Sequence, residues 1–204
     1  LVLDYVFGDQ MEIIMRYLTR QLKAAARLND KKLQINIFGF GKYGGLHPQM
    51  QREDVFIPTG AIEEIDLYTE RKTVFPYRNQ LQSKAAMKIL ETAAKNYGVN
   101  IYAGTTLNAA SVVKQQYSML NLARNRGAVG IDMESRYISG ELDLVTFHGH
   151  NIDFYYYLAG YISDNPLRNR TDGSRDTIQK SLTEYRGEKA ILAAFKEIII
   201  GNLK

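Results

Sequence analysis

β-type runs and helix-period segments alternate along this chain, and that alternation restricts the fold more than any other feature. Residues 9–28 space Met11, Ile14, Met15, Leu18, Leu22 and Ala25 as one face of a helix, which Asn29-Asp30 ends. A β-type run, Leu33–Phe38, enters glycines at 39, 41, 44 and 45 that read as a turn. "DVFIPTGAI" (54–62) reads as a second strand broken by Pro58. An amphipathic helix over 79–97 precedes a third strand, "GVNIYAGTTL". A helix is predicted over 114–125, and "GAVGIDMES" is a fourth strand leading into a helix at 133–140. "FYYYLAGYIS" (154–163) is a fifth strand rich in β-favouring aromatics, and residues 177–200 read as a long closing helix. This order implies an α/β fold with ligands beyond the carboxyl ends of the strands. At 204 residues, with no linker, repeat or low-complexity tract, a single domain over 1–204 is expected.

Several function classes are set aside. The net charge is +4, but basic residues are interspersed with acidic ones and form no stripe with interleaved aromatics, so no nucleic-acid partner is expected. The purely apolar runs are as short as Ile198–Ile200, so no membrane span is expected. With no cysteine, neither disulfides nor thiolate chemistry are available. The opening Leu1–Val6 lacks the basic start and small-residue cleavage site of a signal peptide, and a cytoplasmic protein is expected. His148-Gly149-His150 has a metal-compatible spacing but no evident third ligand, so a loop reading is preferred and no metal or cofactor is expected. His47 follows the glycines and could lie near a site. "GFGKYG" lacks the following helix that a dinucleotide fingerprint needs.

Chemistry gathers at the strand ends: Gly41–Leu46, Gly104–Asn108, Met133–Glu134 and Ser163–Asp164. Glu134 follows the apolar run Ala128–Ile131, where a carboxylate is costly unless the protein or a ligand partners it. It could cap or pair internally, or accept hydrogen bonds from a vicinal diol, with Met133 offering a soft apolar face to a sugar ring. Asp164 could cap the turn at Asn165-Pro166, or act as a general acid in partly apolar surroundings.

Together these segments resemble the nucleoside phosphorylase and nucleosidase superfamily. "AVGIDMES" is similar to its ribose-binding Met–Glu motif, and "GYISDNPL" to its strand ending in Ser-Asp. "GKYGGLHPQMQREDVFIPTGAI" is similar to its glycine turn and next strand, and "NIYAGTTLNAASV" to the strand lining the base pocket. The matches keep the family's order across roughly residues 33–200. "ISDNPL", "GKYGGL" and "IDMES" lean toward AMP nucleosidase-like members.

The resemblance implies a single-domain, three-layer α/β/α sandwich around a twisted mixed sheet, assembled as a homo-oligomer. The aromatic cluster Phe154–Tyr157 is expected to serve as core and subunit interface. Met133 and Glu134 would hold ribose, and Asp164 would protonate a purine base, oriented by Ser163. Leu107 and Asn108 would lie beside the base. Gly41, Lys42, Thr105 and Arg168 are the candidates for an anion, with Arg168 in a loop over 168–176 that suits a lid.

Departures from the family pattern matter too. "INIFGFGKYGG" lacks the Arg that phosphorylases carry before the glycine turn, and Lys42 has no bidentate fork. A base-contact acidic position is Ala110 here. The chain opens in or just before a helix, so the family's first strand and its phosphate-contacting loop are expected to be missing. A nucleoside or nucleotide ligand is implied. Water is the expected nucleophile ahead of phosphate, and a non-catalytic binding homologue is the rival reading.

Overall fold

A computed structural model describes residues 9–27, 32–69, 74–109, 116–147, 152–167 and 185–202. Its elements are α1 (Asp9–Arg27), β1 (Leu33–Gly45), β2 (Val55–Glu63), β3 (Phe75–Pro76), α2 (Lys84–Tyr97), β4 (Ile101–Asn108), α3 (Tyr117–Asn125), β5 (Ala128–Asp132), α4 (Ser135–Phe147), β6 (Ile152–Asp164) and α5 (Arg186–Asn202). The chain is a single α/β domain around one mixed six-stranded sheet in the order β3-β2-β4-β5-β1-β6. β6 runs parallel to β1 from Leu33↔Ile152 to Gly44↔Asp164. It also meets β2 antiparallel at Val55↔Tyr161 and Phe56↔Gly160, so β2, β4, β5, β1 and β6 close into a ring. Each of those strands sends a side chain into one cluster: Tyr43, Phe56, Ile162, Tyr102 and Val129, with Met50.

β6 explains the layering. Its side chains alternate between faces with the period of a strand. Phe154, Tyr156 and Leu158 pack with Met15 of α1 and Ile138 and Leu142 of α4. Tyr157 and Ala159 pack with Leu90 of α2 and Ile191, Ala194 and Phe195 of α5. The expected aromatic cluster is therefore core: Phe154, Tyr156 and Tyr157 are buried within the chain. Tyr155 is half-buried, and sheet alternation sends the other three rings into both helical layers.

The glycine turn does not exist. β1 continues through Gly39, Gly41, Gly44 and Gly45 because β6 pairs with it along that whole stretch, and none of these glycines has a positive φ. Their role is close approach. A Cβ on Gly44 would lie 2.6 Å from Ile131 Cγ2, and one on Gly160 would lie 2.3 Å from the Gly41 carbonyl. Nor does Pro58 break β2; the strand passes through with a register shift between Pro58 and Gly60. There the buried Asn79 bridges two strands. Its Nδ2 donates to the carbonyls of Pro58 and Leu158, and its Oδ1 accepts from Leu158 N–H.

The helix predicted over 79–97 begins at Lys84, with the Ser83 hydroxyl capping Ala86 N–H at 3.3 Å and Gly98 ending it in the left-handed region. The helix expected at 133–140 runs from Ser135 to Phe147, because residues 133–134 form its entry turn. Residues 110–115, 148–150, 168–176 and 177–184, and with them Ala110, His148, His150 and Arg168, lie outside the described residues. Among the described residues no helix is long and apolar enough to cross a membrane.

Candidate active site

The strand ends converge through register. Gly44 of β1 pairs with Asp164 of β6 on one side and with Ile131 of β5 on the other. Met133 and Glu134 follow Ile131 in the chain, separated from it by Asp132. On the far side of β5, Leu107 pairs with Ile131 and Asn108 with Asp132. Glycine at 44 is required because only a strand lacking a side chain there can lie so close to Ile131. Of the sequence-predicted residues, Met133, Glu134, Asn108, Ser163 and Asp164 are thus brought to one edge.

At the rim, Asp164, the last residue of β6, is exposed. Its Oδ1 accepts from the Ser163 hydroxyl at 2.8 Å, and that hydroxyl also lies 3.3 Å from the Tyr43 carbonyl. Glu134 is half-buried. Its carboxylate reaches back to Met133 N–H at 3.4 Å, and its carbonyl accepts from Tyr137 and Ile138 N–H, starting α4.

A buried polar cluster lies beneath. Asp132 Oδ2 accepts from Ser135 N–H at 2.8 Å, fixing the Met133–Glu134 step between strand and helix. Burial pushes the Asp132 carboxyl up to about 6, against the stabilising hydrogen bonds of Ser135. Tyr77, its hydroxyl 3.3 Å from Ser135 Oγ, is pushed well above the usual phenol range by burial and by Asp132. Tyr43 moves in the same direction for the same reasons. Asp132 Oδ1 and Asn108 Oδ1 are both buried without a hydrogen-bond donor among the described residues. An unmet buried polar atom typically costs about 1–3 kcal/mol.

A charged chain supports Asn108 from the side. Asn108 Nδ2 donates to Glu63 Oε2 at 2.8 Å, and Glu63 Oε1 accepts from Arg136 Nε at 2.9 Å. The Arg136 guanidinium lies 4.3 Å over the Phe75 ring. Gly140, one turn along α4, leaves it room, since a Cβ there would come within 2.4 Å of Arg136 Nη1. A cavity of about 400 Å³ adjoins this arginine, lined by Phe75, Tyr77, Arg78, Ser139, Asp143 and Leu144 among others.

Other expected residues fall elsewhere. Leu107 is wholly buried in an apolar cluster with Leu46, Leu120 and Ile131, beneath the edge rather than lining it, because it faces away from Asn108 in the strand alternation. Gly41 lies within β1 rather than in a turn, and Lys42 beside it is exposed. Thr105 is half-buried, three residues back from the end of β4 at Asn108. His47 is partly buried, with Nδ1 accepting from Gln49 N–H. Among the described residues no group of three or more histidines and acids could hold a metal. Asp132, Glu63, Tyr77 and Arg136 were missed. The one local signal was the Asp-x-x-Ser spacing of 132–135, which is a capping geometry; the others reach the site from distant segments.

The chain belongs to the phosphorylase superfamily, whose family model matches residues 24–138, more than half of its length. Uridine phosphorylase isoform 2 from Schistosoma mansoni, in complex with citrate, superposes with a TM-score of 0.65 at 14% identity, over 96% of this chain and 69% of that one. Uridine phosphorylase from the same organism in complex with thymidine gives 0.66 at 14%, over 96% and 68%. AMP nucleosidase from Bacteroides thetaiotaomicron VPI-5482 gives 0.54 at 17%, over 98% and 72%. At such identities the likeness is one of fold. No curated protein sequence matches the chain.

Proposed function

We propose that this protein cleaves the N-glycosidic bond of a purine nucleoside or nucleotide, with water as the nucleophile. The observation that carries the reading is the register that gathers Met133–Glu134, Asn108 and Ser163–Asp164 around Gly44 at one sheet edge. Glu134 accepts hydrogen bonds from the ribose hydroxyls while the sugar gains oxocarbenium character. Asp164, held by Ser163, gives its proton to N7, and the bond from the base to the anomeric carbon breaks with its electron pair leaving on the base. Water adds to the anomeric carbon and loses a proton.

The local charge favours water over phosphate. Glu63, Asp132 and Glu134 crowd the strand ends, and the guanidinium of Arg136 is already bound to Glu63. An incoming phosphate dianion meets repulsion there, whereas water meets acceptors for its protons. The exposure of Asp164 favours a second reading, a nucleoside- or nucleotide-binding homologue without catalysis, because proton donation is strongest from a group shielded from solvent.

One assay separates these. Incubation with a panel of nucleosides and nucleotides, with and without phosphate, is expected to release free base in both conditions. Release that requires phosphate overturns the hydrolytic reading. Binding without release establishes the non-catalytic one.

A further inference from the structure

We propose that Asn108 recognises an exocyclic amino group on the base, and that Glu63 and Arg136 are positioning residues that hold its amide in the accepting orientation. The proposal rests on the nucleoside-cleaving reading above and assigns that site a preference for an amino-bearing base such as a 6-aminopurine.

The orientation follows from chemistry. A carboxylate only accepts, so the part of the Asn108 amide 2.8 Å from Glu63 Oε2 must be its NH₂ group. The carbonyl oxygen then points away from Glu63. Glu63 cannot swing to release the amide, because its other oxygen is held by Arg136 Nε at 2.9 Å. Arg136 is in turn confined between the Phe75 ring and Gly140. Each member of this chain is immobilised by the next, which lowers the entropy lost when a ligand binds to its end.

The end of the chain is an acceptor with nothing to accept. Asn108 is only 6% exposed, and its Oδ1 meets no donor among the described residues. Its register partner on β5 is Asp132, whose Oδ1 is likewise buried and unpaired. Paired positions on adjacent parallel strands project to the same face of the sheet. Two acceptors on one face cannot satisfy one another while Asp132 is ionised. A primary amino group carries two hydrogens, one for each oxygen. A base without that group leaves both oxygens unmet, which is how a site built for a donor rejects the analogue lacking it.

The test compares adenosine with purine riboside, which differs by loss of the 6-amino group and adds no bulk. Isothermal titration with the intact chain should show adenosine binding about tenfold more tightly. Asn108→Leu should narrow the preference severalfold, weakening adenosine more than purine riboside, because the Asp132 acceptor remains. Glu63→Gln, which offers an amide that can bond either end of Asn108, should reduce the preference severalfold while melting temperature reports that the fold is kept. Equal affinity of the two ligands for the unaltered chain overturns the proposal alone, leaving the nucleoside reading intact. A preference undiminished in Asn108→Leu also overturns it. Failure of the unaltered chain to bind any nucleoside overturns the nucleoside reading and this proposal with it.

Discussion

Two regions of this molecule bury their side chains under opposite rules. Between the sheet and helices α2 and α5, Leu81, Leu90, Ile191, Ala194 and Phe195 pack on Val55, Ile57 and Ala159, and Phe38 stacks on Tyr157 with ring centroids 4.6 Å apart. Almost every contact there is apolar. At the carboxyl edge, Asn108, Asp132, Thr106 and Ser135 are just as buried, yet two of their acceptors have no donor among the described residues. The first region lowers the free energy of the chain by itself. The second carries a cost that no donor among the described residues offsets, so the two regions contribute differently to the stability of one small domain.

The sharpest break of that contrast is Asp164→Asn. It removes the transferable proton while keeping size and much of the hydrogen bonding, so turnover should fall by about 10²–10⁴-fold with substrate affinity largely retained. If Asp164 is only a turn cap, the change should instead cost about 1 kcal/mol of stability or less. Near-normal turnover with a lowered melting temperature would end the general-acid assignment.

The opposite response is expected from Leu90→Ala. Leu90 is wholly buried in the apolar region, and its loss should destabilise the fold by about 2–5 kcal/mol in denaturant titrations. Nucleoside affinity per folded molecule should not change. A shift in affinity would show that the two regions are coupled.

Glu134→Ala should weaken riboside binding by about ten- to a hundredfold, the loss of charge-assisted hydrogen bonds, and leave free-base binding nearly unchanged. Calorimetry with a nucleoside and its free base decides this; equal loss of both removes the ribose role.

The smallest effect belongs to Asp132→Asn. Burial raises the native carboxyl from its ordinary 3.8 to about 6, so between those values the native state binds more protons than the unfolded one. Stability contributed by this group therefore falls as pH rises through that window and stays lowered above it. The uncharged variant keeps an acceptor for Ser135 N–H. It should match the wild type near pH 4 and exceed it by about 2 kcal/mol at pH 8. A variant less stable than the wild type at pH 8 would mean that the ionised carboxylate has a partner compensating its burial.

Much of the layout was legible in the residues. Helical spacing of Met11, Met15, Leu18 and Leu22 marks α1 within a residue of its observed end, and the β-type runs mark the strands. The glycines misled because the same residue that permits a turn also permits two strands to touch. Telling the cases apart needs the identity of the neighbouring strand, here β6. Pro58 misled for a similar reason, since Asn79, far along the chain, supplies the hydrogen bonds that a proline-containing strand cannot. At the site, Glu134 and Asp164 stand out because each ends an apolar strand. Glu63 and Arg136 do not, because a surface-type charge at the end of β2 or in a helix is ordinary until folding sets them together.

Local sequence by itself determined the alternation of strands and helices and which residues stand at the strand ends, because propensity and periodicity act between near neighbours. Tertiary structure alone decided that β6 closes the sheet against β2, that Gly44 draws Asp164 and Ile131 together, and that Arg136 and Glu63 orient Asn108. Those are contacts between segments up to 120 residues apart. Burial and hydrogen-bond pairing depend on which surfaces finally meet, and no short-range pattern in the chain records that.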